Sequence, residues 1–156
     1  MIFEPEIPHF HRQLIIDEIK KIGAETVLDV GCGVGTMCFY LKRDLPELEY
    51  TGIDSQMEKI DGCIKNYGDG KRHFQEGSVN NIPLPDKSFD VVLIDAVLMY
   101  LDIPERELAI NEMKRVAKKA IIICEPTDYK IEADVKHSLK EWGGGWEEGF
   151  IQVKYL

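Results

Sequence analysis

Residues 29–35 read Asp-Val-Gly-Cys-Gly-Val-Gly, three glycines at alternate positions with a carboxylate two residues before the first. The apolar run Thr26–Val30 leads into this segment, and Thr36–Lys42 has the composition of a helix leaving it. A strand ending in a glycine-rich turn that opens a helix presents unpaired backbone N–H groups, and glycine lets the ligand come close to them. Spacing and charge decide which ligand. A dinucleotide fingerprint, Gly-x-Gly-x-x-Gly, would need its third glycine at position 36 or 38, where Thr36 and Cys38 stand. Asp29 would also repel a pyrophosphate, whereas it would attract a ligand carrying a sulfonium and an ammonium. These residues suit S-adenosylmethionine and argue against a nicotinamide-linked oxidoreductase.

A second carboxylate fits the same ligand. Asp54 follows the strand candidate Glu49–Ile53 about 20 residues after the turn, where a carboxylate can accept from both ribose hydroxyls. Each acid taken alone could merely cap the turn or helix that follows it; the pair with the glycine turn between them favours a ligand. Asp95 ends the apolar run Phe89–Ile94, and Tyr100 follows shortly after. A methyl group carried on such a sulfonium would leave by in-line displacement with a good leaving group, so alignment and desolvation would matter most. A base is needed only where the acceptor loses a proton, and Asp95 and Tyr100 are the candidates. His9 and His11 join them only if the N-terminal segment folds over the site; otherwise they are surface or packing residues.

The elements that must position these residues alternate along the chain. Leu14, Ile15, Ile19 and Ile22 recur at helical spacing until Gly23, and Met57–Tyr67 and Glu105–Val116 are further helix candidates, the last with Leu108, Met113 and Val116 inward. Lys71–Glu76 is a weakly patterned strand expected near an edge; Phe89–Ile94 and Ala120–Cys124 are continuous apolar strands. Strands without polar alternation are buried on both faces, as in a parallel sheet covered by helices. Alternating strands and helices give a doubly wound, mostly parallel α/β sheet. No linker or repeat divides residues 1–156, so one cofactor-binding domain is expected. The Pro-punctuated opening, Met1–Phe10, is expected to lie over the surface. The stripe Ile131, Val135, Leu139, Trp142 is expected to face the core, and Phe150–Leu156 to form a last strand.

Four segments in order carry a resemblance to the class I S-adenosylmethionine-dependent methyltransferases, specifically the methyltransferase type 11 family. They are Val27–Gly35, Tyr50–Asp54, Glu76–Val92 with its Pro-Leu-Pro-Asp-Lys-Ser-Phe-Asp stretch, and Glu112–Val116. The resemblance implies that Gly31, Cys32 and Gly33 line the methionine part, with Asp29 near its ammonium. It implies that Asp54 holds the ribose, that Ser55 and Gln56 pass beside the adenine, and that Ser78 and Val79 meet the adenine edge. Asp95 stands where the family has an Asp or Asn close to the transferred methyl. Two positions depart from the pattern. Ser78 replaces an acid that accepts from the adenine amino group, which weakens one hydrogen bond by about 1 kcal/mol. Tyr100 stands where His is frequent, on the acceptor side. The segment Asp95-Ala96-Val97-Leu98 also lacks the Asn-Pro-Pro-aromatic arrangement of amino methyltransferases. The family's sheet ends in an antiparallel pair of strands, of which only Phe150–Leu156 is evident, so six strands and a truncated C-terminal edge are expected.

Composition bounds the remaining alternatives. The net charge of −9 with scattered basic residues weighs against direct nucleic-acid binding, although a basic partner could deliver such a substrate. Four cysteines, at 32, 38, 63 and 124, form no Cys-x-x-Cys pair and lie near no His at ligand spacing. Neither a metal site nor a disulfide framework is therefore expected, and a reducing cytoplasm is the expected setting. No apolar run has the length to span a bilayer. Short links leave no substrate-covering domain, so the pocket should be open towards the acceptor. A large acceptor, a partner subunit or a homodimer would close it, and an apolar end strand invites pairing. The minimal length and Ser78 also suit a non-catalytic cofactor-binding or scaffold subunit. The methyl acceptor itself is not legible.

Overall fold

The computed structural model describes Pro8, residues 10–125 and residues 151–156. Their elements run α1 (Phe10–Ile22), β1 (Thr26–Val30), α2 (Thr36–Asp44), β2 (Glu49–Asp54), α3 (Met57–Tyr67) and β3 (Arg72–Glu76). They continue with β4 (Phe89–Asp95), a single 3-10 turn (Leu98–Tyr100), α4 (Ile103–Val116), β5 (Ala117–Cys124) and β6 (Ile151–Tyr155). The strands form a six-stranded sheet in the order β3-β2-β1-β4-β5-β6. Every neighbouring pair is parallel except β5–β6, which is antiparallel. This is the doubly wound α/β class expected from the alternating pattern, with β3 and the antiparallel β6 as the edges among the described residues. His9 and the stripe Ile131 to Trp142 lie outside the described residues, as does nearly all of the opening segment. No helix among the described residues is long and apolar enough to cross a membrane.

The strand period of two sorts the apolar residues onto the two faces. Val27, Val91, Leu93, Ala120 and Ile122 pack with Ile15, Ile16 and Ile19 of α1 and with Met37, Cys38 and Leu41 of α2. Their alternates Leu28, Val30, Val92, Ile94, Ile121 and Ile123 pack against Ala109, Ile110, Met113 and Val116 of α4. Burial of the central strands on both faces is why their sequences lack polar alternation. One expectation for α4 fails: Leu108 is 53% exposed. It precedes Met113 by five positions, about 140° around a helix of 3.6 residues per turn, so Ala109 and Ile110 take the inward places. This helix also starts two residues before the expected Glu105. Asp102 accepts from the Glu105 N–H, Glu105 accepts from the Asp102 N–H, and Pro104 sits in the first turn.

Strand order reverses between β1 and β4: β2 and β3 extend from β1 in one direction, and β5 from β4 in the other. The connections leaving the carboxyl ends of β1 and β4 therefore diverge and leave a crevice, the usual ligand position in such sheets.

Candidate cofactor-binding and active site

A cavity of about 780 Å³ lies in that crevice. Its wall includes Asp29, Gly31, Cys32, Gly33, Asp54, Ser55, Ser78, Val79, Asp95 and Tyr100, so these candidates for cofactor and acceptor border one space, while His11 is not among its lining residues. They come from the ends of β1, β2, β3 and β4, far apart in sequence and gathered by the parallel topology.

The glycine turn owes its shape to three left-handed residues, Gly31, Gly33 and Gly35, at φ 75°, 56° and 89°. Two of them also carry close packing. A Cβ on Gly31 would lie 2.6 Å from Val97 Cγ2, and one on Gly35 would lie 2.7 Å from the Tyr67 ring. A Cβ on Gly33 would meet no protein atom within 4 Å. The turn is tied to β2, because the Gly31 and Cys32 N–H groups both donate to the Ile53 carbonyl, at 2.8 and 2.9 Å. Asp54 completes the tie: Oδ2 accepts from Gly33 N at 3.0 Å and Oδ1 from Gln56 N at 2.9 Å. Each carboxylate oxygen keeps a second lone pair. Cys32 is buried, and its thiol shares a hydrogen bond with Cys63 that, with burial, pushes its ionisation far up. Its thiol is therefore held neutral, and what it can offer the cavity is its backbone.

Asp29 is buried beneath the turn and accepts from Tyr50 Oη at 2.6 Å. Burial pushes its carboxyl up to about 7; the Tyr50 hydrogen bond opposes this, and the Asp95 and Asp54 carboxylates add to it. A cation arriving beside Asp29 would relieve that cost.

Across the crevice, Asp95 faces α1. Its Oδ1 is 3.5 Å from His11 Nε2 and its Oδ2 is 3.7 Å from Arg12 Nε. Beyond it Ala96 adopts φ 55° and the chain enters the 3-10 turn. Tyr100 ends that turn, 77% exposed at the rim of the cavity. Ser78 Oγ accepts from Asn80 N at 3.2 Å, so the loop after β3 is shaped by the Ser in the place of the family's acid.

Three residues at or beside the cavity were not singled out from the sequence. Arg12 lines the cavity from α1, and nothing in the helical pattern sets it apart from other surface cations. Lys59 lines it from α3. Glu125 is buried just past β5, its Oε1 accepting from Val97 N at 3.2 Å and Leu98 N at 2.9 Å. A signal for Glu125 did exist. The apolar strands β1, β2, β4 and β5 all have an acid at or beside their carboxyl end, Asp29, Asp54, Asp95 and Glu125.

The family profile described as a methyltransferase domain matches residues 23–153. The demethylmenaquinone methyltransferase of Thermotoga maritima is 30% identical over 155 residues, covering 93% of this chain and 66% of its own length. The fatty-acid O-methyltransferase of Mycolicibacterium smegmatis is 29% identical over 135 residues, covering 85% of this chain and 46% of its own. The chain thus spans less than two thirds of the length of these curated relatives. A SAM-dependent methyltransferase of Aquifex aeolicus superposes with a TM-score of 0.68 at 24% identity, over 90% of this chain and 87% of that one. The fold and the profile together define a doubly wound methyltransferase domain, and this chain belongs to that family.

Proposed function

We propose that this chain binds S-adenosylmethionine in the β1/β4 crevice and transfers its methyl group to an acceptor that enters past Tyr100. The observation that carries the reading is the acid-flanked glycine turn, with Asp29 buried under it and Asp54 bonded to it. The residues fit the cofactor. Free lone pairs on Asp54 can accept from the ribose hydroxyls. Gly33 leaves open the space that a side chain would fill. Asp29 offers a carboxylate whose burial favours a cationic neighbour. Ser55 and Gln56 flank the adenine side, and Ser78 and Val79 its edge.

The cofactor would supply a methyl group already activated by the sulfonium. The chain's own residues bind, orient and exclude water. For an acceptor that loses a proton, Asp95 takes it, and His11 Nε2 lies 3.5 Å from its Oδ1. Tyr100 contacts the acceptor at the rim. The relatives' names, a demethylmenaquinone and a fatty-acid methyltransferase, together with Val97, Leu101 and Tyr100 on the wall, favour an acceptor with apolar surface.

The test is titration calorimetry with S-adenosylmethionine and S-adenosylhomocysteine, followed by transfer of labelled methyl to a panel of quinols, fatty acids and phenols. Binding of both with labelled product supports the reading. Binding without transfer to any of them favours the non-catalytic subunit, and no heat with either ligand defeats both readings.

A further inference from the structure

Cys32 and Cys63 come from different elements and meet beside the glycine turn. Cys32 belongs to the turn itself and Cys63 to α3, and both are buried. Cys63 Sγ donates to the Gly33 carbonyl at 3.2 Å, and Cys32 Sγ lies 3.9 Å from the same oxygen. The two thiols are also hydrogen-bonded to each other. Two glycines make the room for them: a Cβ on Gly52 would lie 2.9 Å from Cys32 Sγ, and one on Gly35 would lie 3.2 Å from Cys63 Sγ. The sulfurs are thus confined side by side, and methyl transfer uses neither of them.

The thiol–thiol hydrogen bond sets the order in which they react. Donation from Cys32 holds the Cys63 thiol below the ordinary range, and the same bond pushes the Cys32 thiol far up. The thiolate is the form that attacks an oxidant, so Cys63 reacts first. Cys63 borders a second cavity, of about 320 Å³, with Val34 and Gly62 on the same wall. That space admits a molecule little larger than water. Cys38 and Cys124 give the contrast, because for each of them burial is the largest influence and pushes the thiol up.

We propose that Cys32 and Cys63 form an oxidative modification site, at which hydrogen peroxide converts the pair into a disulfide that ties the glycine turn to α3. In the first step the Cys63 thiolate attacks a peroxide oxygen. An S–O bond forms, the O–O bond breaks, and the departing hydroxide takes up the proton that Cys63 released. In the second step the Cys32 sulfur attacks the Cys63 sulfur. The S–S bond forms, the S–O bond breaks, and the second hydroxide leaves with the Cys32 proton as water. Two thiols are oxidised by two electrons, and one peroxide is reduced to two waters. A disulfide holds its sulfurs at about 2.05 Å, so the turn must shift towards α3. The shift works against the bonds from Gly33 N to Asp54 and from Cys32 N to Ile53. Cys32 and Gly33 line the large cavity, so oxidation weakens ligand binding there. That last effect rests on the cofactor reading above, whereas the disulfide itself does not.

The test treats the reduced protein with hydrogen peroxide, traps the remaining thiols with a maleimide in acidic denaturant, and maps unreduced peptides by mass spectrometry. The expected result is a chain lighter by two hydrogen atoms, a linked Cys32–Cys63 peptide pair, and trapped Cys38 and Cys124. In calorimetry the oxidised protein should bind S-adenosylhomocysteine at least about tenfold more weakly than the reduced protein, and dithiothreitol should restore the affinity. Cys63→Ser should keep its affinity through the same treatment. Unmodified thiols in the wild type, or single cysteines carried on to sulfinic acid without a Cys32–Cys63 bond, overturn the proposal. The peptide map of the wild type decides this, so a variant that fails to fold does not shield it. A bond made to Cys38 or Cys124 instead overturns it as well. A Cys32–Cys63 bond that leaves affinity unchanged overturns the effect on the cavity. A reduced protein that gives no heat with S-adenosylhomocysteine defeats the cofactor reading and that effect together, while the peptide map still decides the disulfide.

Discussion

Asp29 sets function against stability within one residue. Its carboxyl ionises at 3.8 in the unfolded reference and at about 7 in the folded protein. The folded state thus holds a proton that the unfolded chain has released. The group's contribution to stability is full below 3.8, declines across that interval and is lost above about 7. Asp29→Asn, which keeps an acceptor for Tyr50, should therefore be more stable than the wild type at pH 8, by up to about 4 kcal/mol, and no more stable at pH 3.5. Urea unfolding at the two pH values measures this. The same variant should lose S-adenosylmethionine binding, and wild-type affinity should rise as pH increases through about 7, because the cation needs the ionised acid. A stability difference independent of pH would remove burial as the cause. The glycines divide in a similar way. Gly31→Ala must push its Cβ against Val97 as well as adopt a left-handed φ, whereas Gly33→Ala meets only the second difficulty. Gly33→Ala should cost about 1–2 kcal/mol of stability and abolish ligand heat. Gly31→Ala should cost more, and equal melting temperatures for the two would contradict the contact with Val97.

At the scale of elements, most of the framework was legible because local pattern and tertiary burial agree. β1 and α3 fall on the expected residues, and β2 and β4 run one residue further, onto Asp54 and Asp95. What was not legible depends on contacts between distant segments. Leu108 looked inward on apolarity alone, but the sheet dictates which stripe of α4 is covered. The acids of the crevice were readable from their glycine turn and strand ends, whereas Arg12 became a wall residue only once α1 was laid against β5, which brings it to Asp95 at the end of β4. The 3-10 turn is the clearest such case, since its anchors lie outside it: Glu125 accepts from its first N–H groups, and Arg106 Nε donates to the Leu98 carbonyl at 2.9 Å. Glu125→Ala would leave buried donors without partners, at about 1–3 kcal/mol for each. It should also accelerate hydrogen exchange at Val97 and Leu98 and slow any methyl transfer by loosening Tyr100. Glu125→Gln retains an acceptor and should largely preserve the turn. Unchanged exchange at Val97 and Leu98 in Glu125→Ala would show that other contacts hold it.

At the scale of the molecule, the sheet gathers the ends of β1 to β4 around one crevice, so a ligand there bridges segments that lie far apart in sequence. A ligand that binds the folded state alone stabilises it by mass action, by about 2.7 kcal/mol at one hundred times its dissociation constant. For a chain of 156 residues each kcal/mol moves the melting temperature by roughly 2–4 °C, so a rise of about 5–10 °C is expected with saturating S-adenosylhomocysteine. NADH at the same concentration should produce none, because Asp29 repels its pyrophosphate and the glycine spacing does not receive it. The rise should shrink below pH 7, where Asp29 takes up a proton before the ligand's ammonium can reach it. Differential scanning fluorimetry at pH 6 and pH 8 with both ligands separates the cases. A larger shift with NADH would overturn the choice of cofactor made from the turn. A pH-independent shift with S-adenosylhomocysteine would leave the cofactor in place but move its ammonium away from Asp29.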